Sequence, residues 1–203
     1  DFVADPQEHV QYTLTFPKLE DGFYDLLFLI IKDPKNESLD EEYRKQTDLS
    51  HLISMRYSLQ VGEESRSVEN SSKKEHPCTE NTTLDGVFLN QDPAVLRRLL
   101  TLECQAGEEI PLVIHVGNKS NETKEYMVFL LYDWKQTPID SEQAVFLQIP
   151  PMERVAVPVQ LEETGGNGVH NVTAICVSSP FEEATMETRK ADFSIRVGVH
   201  VNE

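Results

Sequence analysis

Six of the nine asparagines, Asn36, Asn70, Asn81, Asn118, Asn121 and Asn171, stand in N-x-[S/T] with no proline at x. The chemistry this spacing supports is glycan transfer to a side-chain amide in a secreted chain. Three cysteines, Cys78, Cys104 and Cys176, have no C-x-x-C spacing, which speaks against a zinc site. Cys104 and Cys176 share the inward parity of two predicted strands. They are a candidate disulfide or two buried thiols, with Cys78 left over in a polar stretch. Tyr126, Tyr132 and Trp134 share one parity on another strand. Such a row, if exposed, could stack on a sugar ring; if inward, it is core.

Other constellations are weaker. His115, His170 and His200 fall at outward parity on predicted strands, where two imidazoles and a carboxylate could hold a metal. Scattered exposed histidines are more often polar surface, and no metal site is expected. The acidic run from Asp33 to Glu42 offers oxygens to calcium but lacks the D-x-[DN]-x-[DN]-G spacing that wraps an ion. It reads equally as a solvated loop, so no cofactor is expected. No G-x-S-x-G, P-loop, G-x-G-x-x-G or H-E-x-x-H occurs, and nothing singles out a carboxylate pair among the 35 acidic residues. A non-catalytic protein is expected.

The elements that would position these residues are strands. In the second half, apolar residues alternate over 100–106, 110–116, 145–149, 155–161, 172–176 and 193–201, and 126–132 is apolar on both faces. Pro158 lacks a ladder donor, so its strand should have a free edge. Asn171 and Thr173 should then face outward. Seven short strands separated by turns predict an immunoglobulin-like β-sandwich over 92–203. Asp92-Pro93 is expected to cap a short amphipathic helix over 94–100.

The first half carries three predicted strands, 10–16, 23–32 and 52–61, which echo the last three of the second half. Gly22-Phe23-Tyr24-Asp25-Leu26 corresponds to Gly168-Val169-His170-Asn171-Val172, and MRYSLQVG to SIRVGVHV. Both intervening inserts hold a capping-box pattern, Ser38-x-x-Glu41 and Ser179-x-x-Glu182, which predicts short helical turns. Residues 1–62 therefore read as a partial β unit, and 63–91 as a polar linker. The chain is all-β with few helical turns. Three strands leave an apolar face uncovered, so either the chain is a fragment of a longer protein, which is the favoured expectation, or the missing strands come from elsewhere in the fold or from a partner.

From about Leu100 the chain resembles the bacterial cell-adhesion-related domain (CARDB) and its immunoglobulin-like and fibronectin-type relatives. The residues carrying the likeness are Ile110-Pro111-Leu112-Val113-Ile114-His115-Val116-Gly117-Asn118, Glu125-Tyr126-Met127-Val128, Ile149-Pro150-Pro151-Met152-Glu153 and Gly168-Val169-His170-Asn171-Val172. The resemblance implies a tandemly repeated, non-catalytic extracellular module and assigns no functional residues.

A net charge of −17 disfavours nucleic acid and anionic membrane surfaces, and no apolar run is long enough for a membrane helix. The expectation is an extracellular or cell-surface adhesion module binding a protein or glycan partner. The alternative is an accessory, sugar-binding sandwich of a larger secreted enzyme, supported only if Trp134 and Tyr132 are exposed.

Overall fold

The computed structural model describes residues 3–32, 34, 52–63, 76–81, 83–162, 166–180, 182–194 and 196–202. Among these the protein is all-β, with thirteen strands and no helix. Two sheets form a sandwich. The first contains β3 (Cys78–Glu80), β4 (Gly86–Asn90), β6 (Glu109–Asn118) and β10 (Glu153–Glu162), in the order β3-β10-β6-β4. The second runs β5 (Thr101–Gln105), β13 (Val197–Asn202), β11 (Gly168–Ser178), β7 (Lys124–Tyr132), β8 (Lys135–Thr137). β9 (Val145–Ile149) shares the outer edge of β7 with β8, and β12 (Asp192–Phe193) pairs the far end of β11. All pairings are antiparallel except β5 with β13, which is parallel.

The alternating residues meet between these sheets. Ile110, Leu112, Ile114 and Val116 of β6 pack with Val155, Val157, Val159 and Leu161 of β10 against Val128 and Leu130 of β7 and Val172 and Ala174 of β11. Burying each such side chain contributes about 1.5–3 kcal/mol, so this interface is the main source of stability. The seven strands expected in the second half are all present. The last is split into β12 and β13, because Ser194 turns its backbone N–H to Ala174 O and its Oγ to Ala174 N. Pro158 is exposed and lies beyond Val155, the last β10 residue paired with β3, so its strand does have an open edge there.

Sequence and structure part company in four places. Residues 94–100 form no helix. Asp92 caps only one turn, and Asn90 Nδ2 takes the Val95 and Arg97 carbonyls that a helix would need. Leu99 N–H goes to Leu89 O, so the segment lies extended over β4. The polar stretch 63–91 contains β3 and β4, and β4 buries Val87 and Leu89 in the core. Residues 10–16 form no strand, and Val10, Tyr12, Leu14 and Phe16 are exposed. The Ser179-x-x-Glu182 pattern gives a turn, closed by Glu182 N–H to Ser179 O, rather than a helix. Ser38 and Glu41 lie outside the described residues.

A third layer lies on the second sheet. β1 (Gly22–Ile31) and β2 (Leu52–Val61) form a two-stranded antiparallel ribbon, paired along its whole length. Leu27, Leu29 and Ile31 of β1 and Leu52 of β2 pack onto Leu131, Ile175 and Val177, the face of β7 and β11 turned away from the sandwich core. This explains why 126–132 is apolar on both sides.

Candidate interaction surface

The ribbon is fixed by β2. Arg56 is buried in its inner face, and its guanidinium donates to Asp25 Oδ2 at 2.9 Å and to the carbonyls of Ser178, Ser179 and Glu182 at 2.6–2.9 Å. Ser54 Oγ donates to Ala191 O and accepts from Ala191 N–H, while Arg56 N–H donates to Arg189 O. Ser58 Oγ accepts from Ala184 N–H and donates to Asp25 Oδ1. Three alternate residues of one strand thus seize the loop between β11 and β12. The forked, permanently charged guanidinium suits this cluster of oxygens, which a lysine could not span.

Because strand side chains alternate, the other face of the ribbon points outward. It carries Tyr24, Leu26, Phe28 and Ile30 on β1 and Ile53, Met55, Tyr57 and Leu59 on β2, with no charged residue among them. Ile30 is 51% exposed, Ile53 46%, Met55 45% and Tyr57 54%. Phe28 and Tyr57 meet edge to face, 5.8 Å between centroids. On a chain of net charge −17, this continuous uncharged apolar face differs from an ordinary solvent-facing strand. The signal was in the sequence: 22–31, GFYDLLFLII, is apolar at both parities, as a strand covered on both sides would be.

A second feature adjoins the ribbon. β7 and β8 are joined by Asp133-Trp134, both with positive φ (44° and 65°), the geometry that normally selects Asn-Gly. Asp133 is held by its carboxylate: Oδ1 accepts Asn171 N–H at 2.9 Å, and Oδ2 lies 2.7 Å from His170 Nδ1. His170 Nε2 faces Gly166 O at 2.8 Å. Trp134 donates to Pro34 O, and Arg196 stacks 4.6 Å above its ring. These bonds offset the strain of about 1 kcal/mol per left-handed residue.

The residues singled out from sequence are distributed as follows. Tyr126 and Tyr132 point into the sandwich core, and Trp134 sits in the turn against Arg196, so the three form no exposed aromatic row. Burial, reinforced by Cys176, Asp85 and Asp192, pushes the Tyr126 hydroxyl up. Burial and then Asp85 raise the Asp192 carboxyl, with Lys124 opposing. Cys104 and Cys176 form no disulfide. Cys104 lies opposite Val201, which lies opposite Gly168, and Cys176 is eight residues further along β11. That is roughly 26 Å at strand rise, against a limit of about 7 Å between bridged Cα atoms. Cys78 also remains a thiol, pushed up by burial and by Glu153.

Asn118, whose sequon calls for exposure to a glycosylating enzyme, is fully buried. Its Nδ2 donates to Glu122, Ile149 and Pro150 carbonyls, and its Oδ1 accepts from Ser120 N–H and Oγ, which ties the crossing between the sheets. A glycan on that nitrogen is incompatible with this fold. Asn81 is likewise buried, bonded within its own turn to Leu84. The turn presses so closely on β6 that a Cβ at Gly117 would lie 2.5 Å from Leu84 O. Asn171 and Thr173 do point away from the core, but they are buried. Asn121 is exposed; Asn36, Asn70 and most of the acidic run from Asp33 to Glu42 lie outside the described residues.

The histidines do not converge. His115 is buried beneath 90–98, stacked on Phe88, with Nε2 donating to Asn90 Oδ1 and Nδ1 accepting from Arg154. Burial and then Arg154 lower it from 6.5 to about 4. His200 lies 3.9 Å from Glu103. Among the described residues, no three His, Cys, Asp or Glu are placed to hold a metal, and no helix is long and apolar enough to cross a membrane.

The sequence matches no family model, so membership of the cell-adhesion-related domain is not shown, and no curated protein matches it. Among solved structures, the N-terminal domain of PorA aligns over 57% of this chain and 97% of its own, at 11% identity and a TM-score of 0.34. A family 123 glycoside hydrolase from Clostridium perfringens, studied for glycolipid glycan hydrolysis, aligns over 58% of this chain and 27% of its own, at 11% identity and a TM-score of 0.35. Likeness at this level carries no argument about function.

Proposed function

We propose that this chain is a non-catalytic interaction module of an extracellular or cell-surface protein, and that it contacts another protein surface through the outer face of the β1–β2 ribbon. The observation that carries this reading is the uncharged row of Ile30, Ile53, Met55 and Tyr57, each about half exposed, on a ribbon locked to the sandwich by Arg56. A rigid platform with an apolar face is suited to docking against another folded surface. A protein partner is favoured over a glycan because Tyr126 and Tyr132, two of the three aromatics suited to sugar stacking, are buried.

Two measurements test the reading. Intact source cells treated with a membrane-impermeant amine reagent should label the exposed Lys119, Lys124 and Lys135; labelling only after lysis overturns the location. Tyr57→Glu should loosen the protein surface that covers the ribbon in the natural protein, read as faster hydrogen exchange of the ribbon amides with the sandwich still folded. Unchanged exchange overturns the surface.

A further inference from the structure

We propose that the outer face of the ribbon is one half of the core of a second β-sandwich, and that its occupant is an antiparallel sheet supplied by strands preceding residue 8 in the same polypeptide. This rests on the reading of the ribbon as a protein-contact face.

The pairing of β1 with β2 repeats the register of β11 with β13. Gly22 faces Val61 as Gly168 faces Val201, and Leu26 faces Tyr57 as Val172 faces Val197, with the three pairs between them in step. The sequence echo between these segments is therefore reproduced in their pairing. The polar marks coincide as well. Ser54 and Ser194 each stand two residues before a buried arginine, Arg56 and Arg196, and each serine Oγ accepts a backbone N–H from a neighbouring segment, at 2.8 and 2.9 Å.

The same correspondence assigns the faces. Val172 and Ala174 of β11, and Val197 and Val199 of β13, point into the sandwich core. Their counterparts in the ribbon are Leu26 and Phe28, and Tyr57 and Leu59, all on the outward face. In the second-half sandwich the equivalent face is covered by β4, β6 and β10, of which β10 directly precedes β11. The counterpart of β10 is 10–16, led by Glu8-His9-Val10 as β10 is by Glu153-Arg154-Val155. Its row of Val10, Tyr12, Leu14 and Phe16 is exposed and in no strand. An apolar ribbon face and an apolar arm are thus the last three strands of a sandwich lacking its earlier ones, and a strand beside 10–16 would complete both.

Other occupants fit less well. A second copy placed ribbon to ribbon would bury roughly 300 Å² per partner, from strand rise and spacing, against about 800 Å² for a stable interface. Residues 35–51 and 64–75 are too polar to cover the face, offering only Leu39, Tyr43 and Leu49 in the first and Val68 in the second.

The test is hydrogen exchange of residues 10–16 and of the ribbon amides, measured in this chain alone and in the polypeptide as its source makes it. Slowing of at least about tenfold in the natural polypeptide, independent of dilution, is expected. Slowing that appears only with a second chain or at high concentration overturns the proposal while keeping the contact face. No slowing anywhere overturns both. A natural polypeptide that begins at Asp1 overturns the proposal. As a second readout, Tyr57→Thr should lower the melting midpoint of this chain only slightly, through loss of the edge contact with Phe28, and that of the natural polypeptide by several degrees more; equal shifts in both overturn the proposal.

Discussion

Arg56 meets Asp25 at 2.9 Å across the β1–β2 ribbon, and the same guanidinium nitrogen reaches Ser179 and Glu182 carbonyls of the sandwich. One side chain therefore closes the ribbon and attaches it.

Arg56→Met should cost about 3 kcal/mol, because it leaves Asp25 and three carbonyls short of donors in a buried place. Arg56→Lys should recover less than half of that loss. Chemical denaturation measures the cost, and exchange of the ribbon amides shows whether β1–β2 lifts off before the sandwich unfolds.

Asn118→Asp should destabilise the fold by roughly 2–3 kcal/mol, since a carboxylate cannot donate to the carbonyls of Glu122, Ile149 and Pro150. Asn121→Asp, at an exposed position three residues on, should shift stability by no more than about 0.5 kcal/mol. Paired thermal melts separate the structural asparagine from the surface one.

Acid should weaken the protein through His115. Its folded value, about 4, lies below the ordinary 6.5, so the unfolded chain binds a proton that the folded chain refuses. The contribution is complete above pH 6.5 and is lost as pH falls through about 4, to a total of about 3 kcal/mol. His115→Gln should flatten the stability profile between those limits.

A thiol reagent should find three reactive sulfurs in denaturant, where a Cys104–Cys176 bridge would leave one. In the native protein, Cys78, the most accessible, should react first and slowly, because burial and Glu153 keep its thiol protonated. Cys176, fully buried and raised further by Asp192, should be protected until unfolding.

Where periodicity carried the information, the sequence was easily read. Ile110 to Val116 and Val155 to Leu161 alternate cleanly because only one face of each strand enters the core. The reading failed where side chains overrule local pattern. Asn90 captures the carbonyls that the helix expected at 94–100 would use, a competing claim from just before the segment that a capping signal does not show. Asn118 satisfies a sequon and an Asx turn with the same residues, and only burial distinguishes them. Outward parity was correct for Asn171, but solvent exposure depends on whether something lies over that face of the sheet. The aromatic triplet of Tyr126, Tyr132 and Trp134 was divided because the turn begins at Asp133, where positive φ ends the alternation.

The parallel pairing of β5 with β13 has a mechanical meaning. Tension applied toward the N-terminal end of β5 and the C-terminal end of β13 drives the two strands past each other. The five facing pairs from Thr101–Gly198 to Gln105–Asn202 then bear the load together instead of parting one after another. A chain pulled from both ends would yield last at this seam.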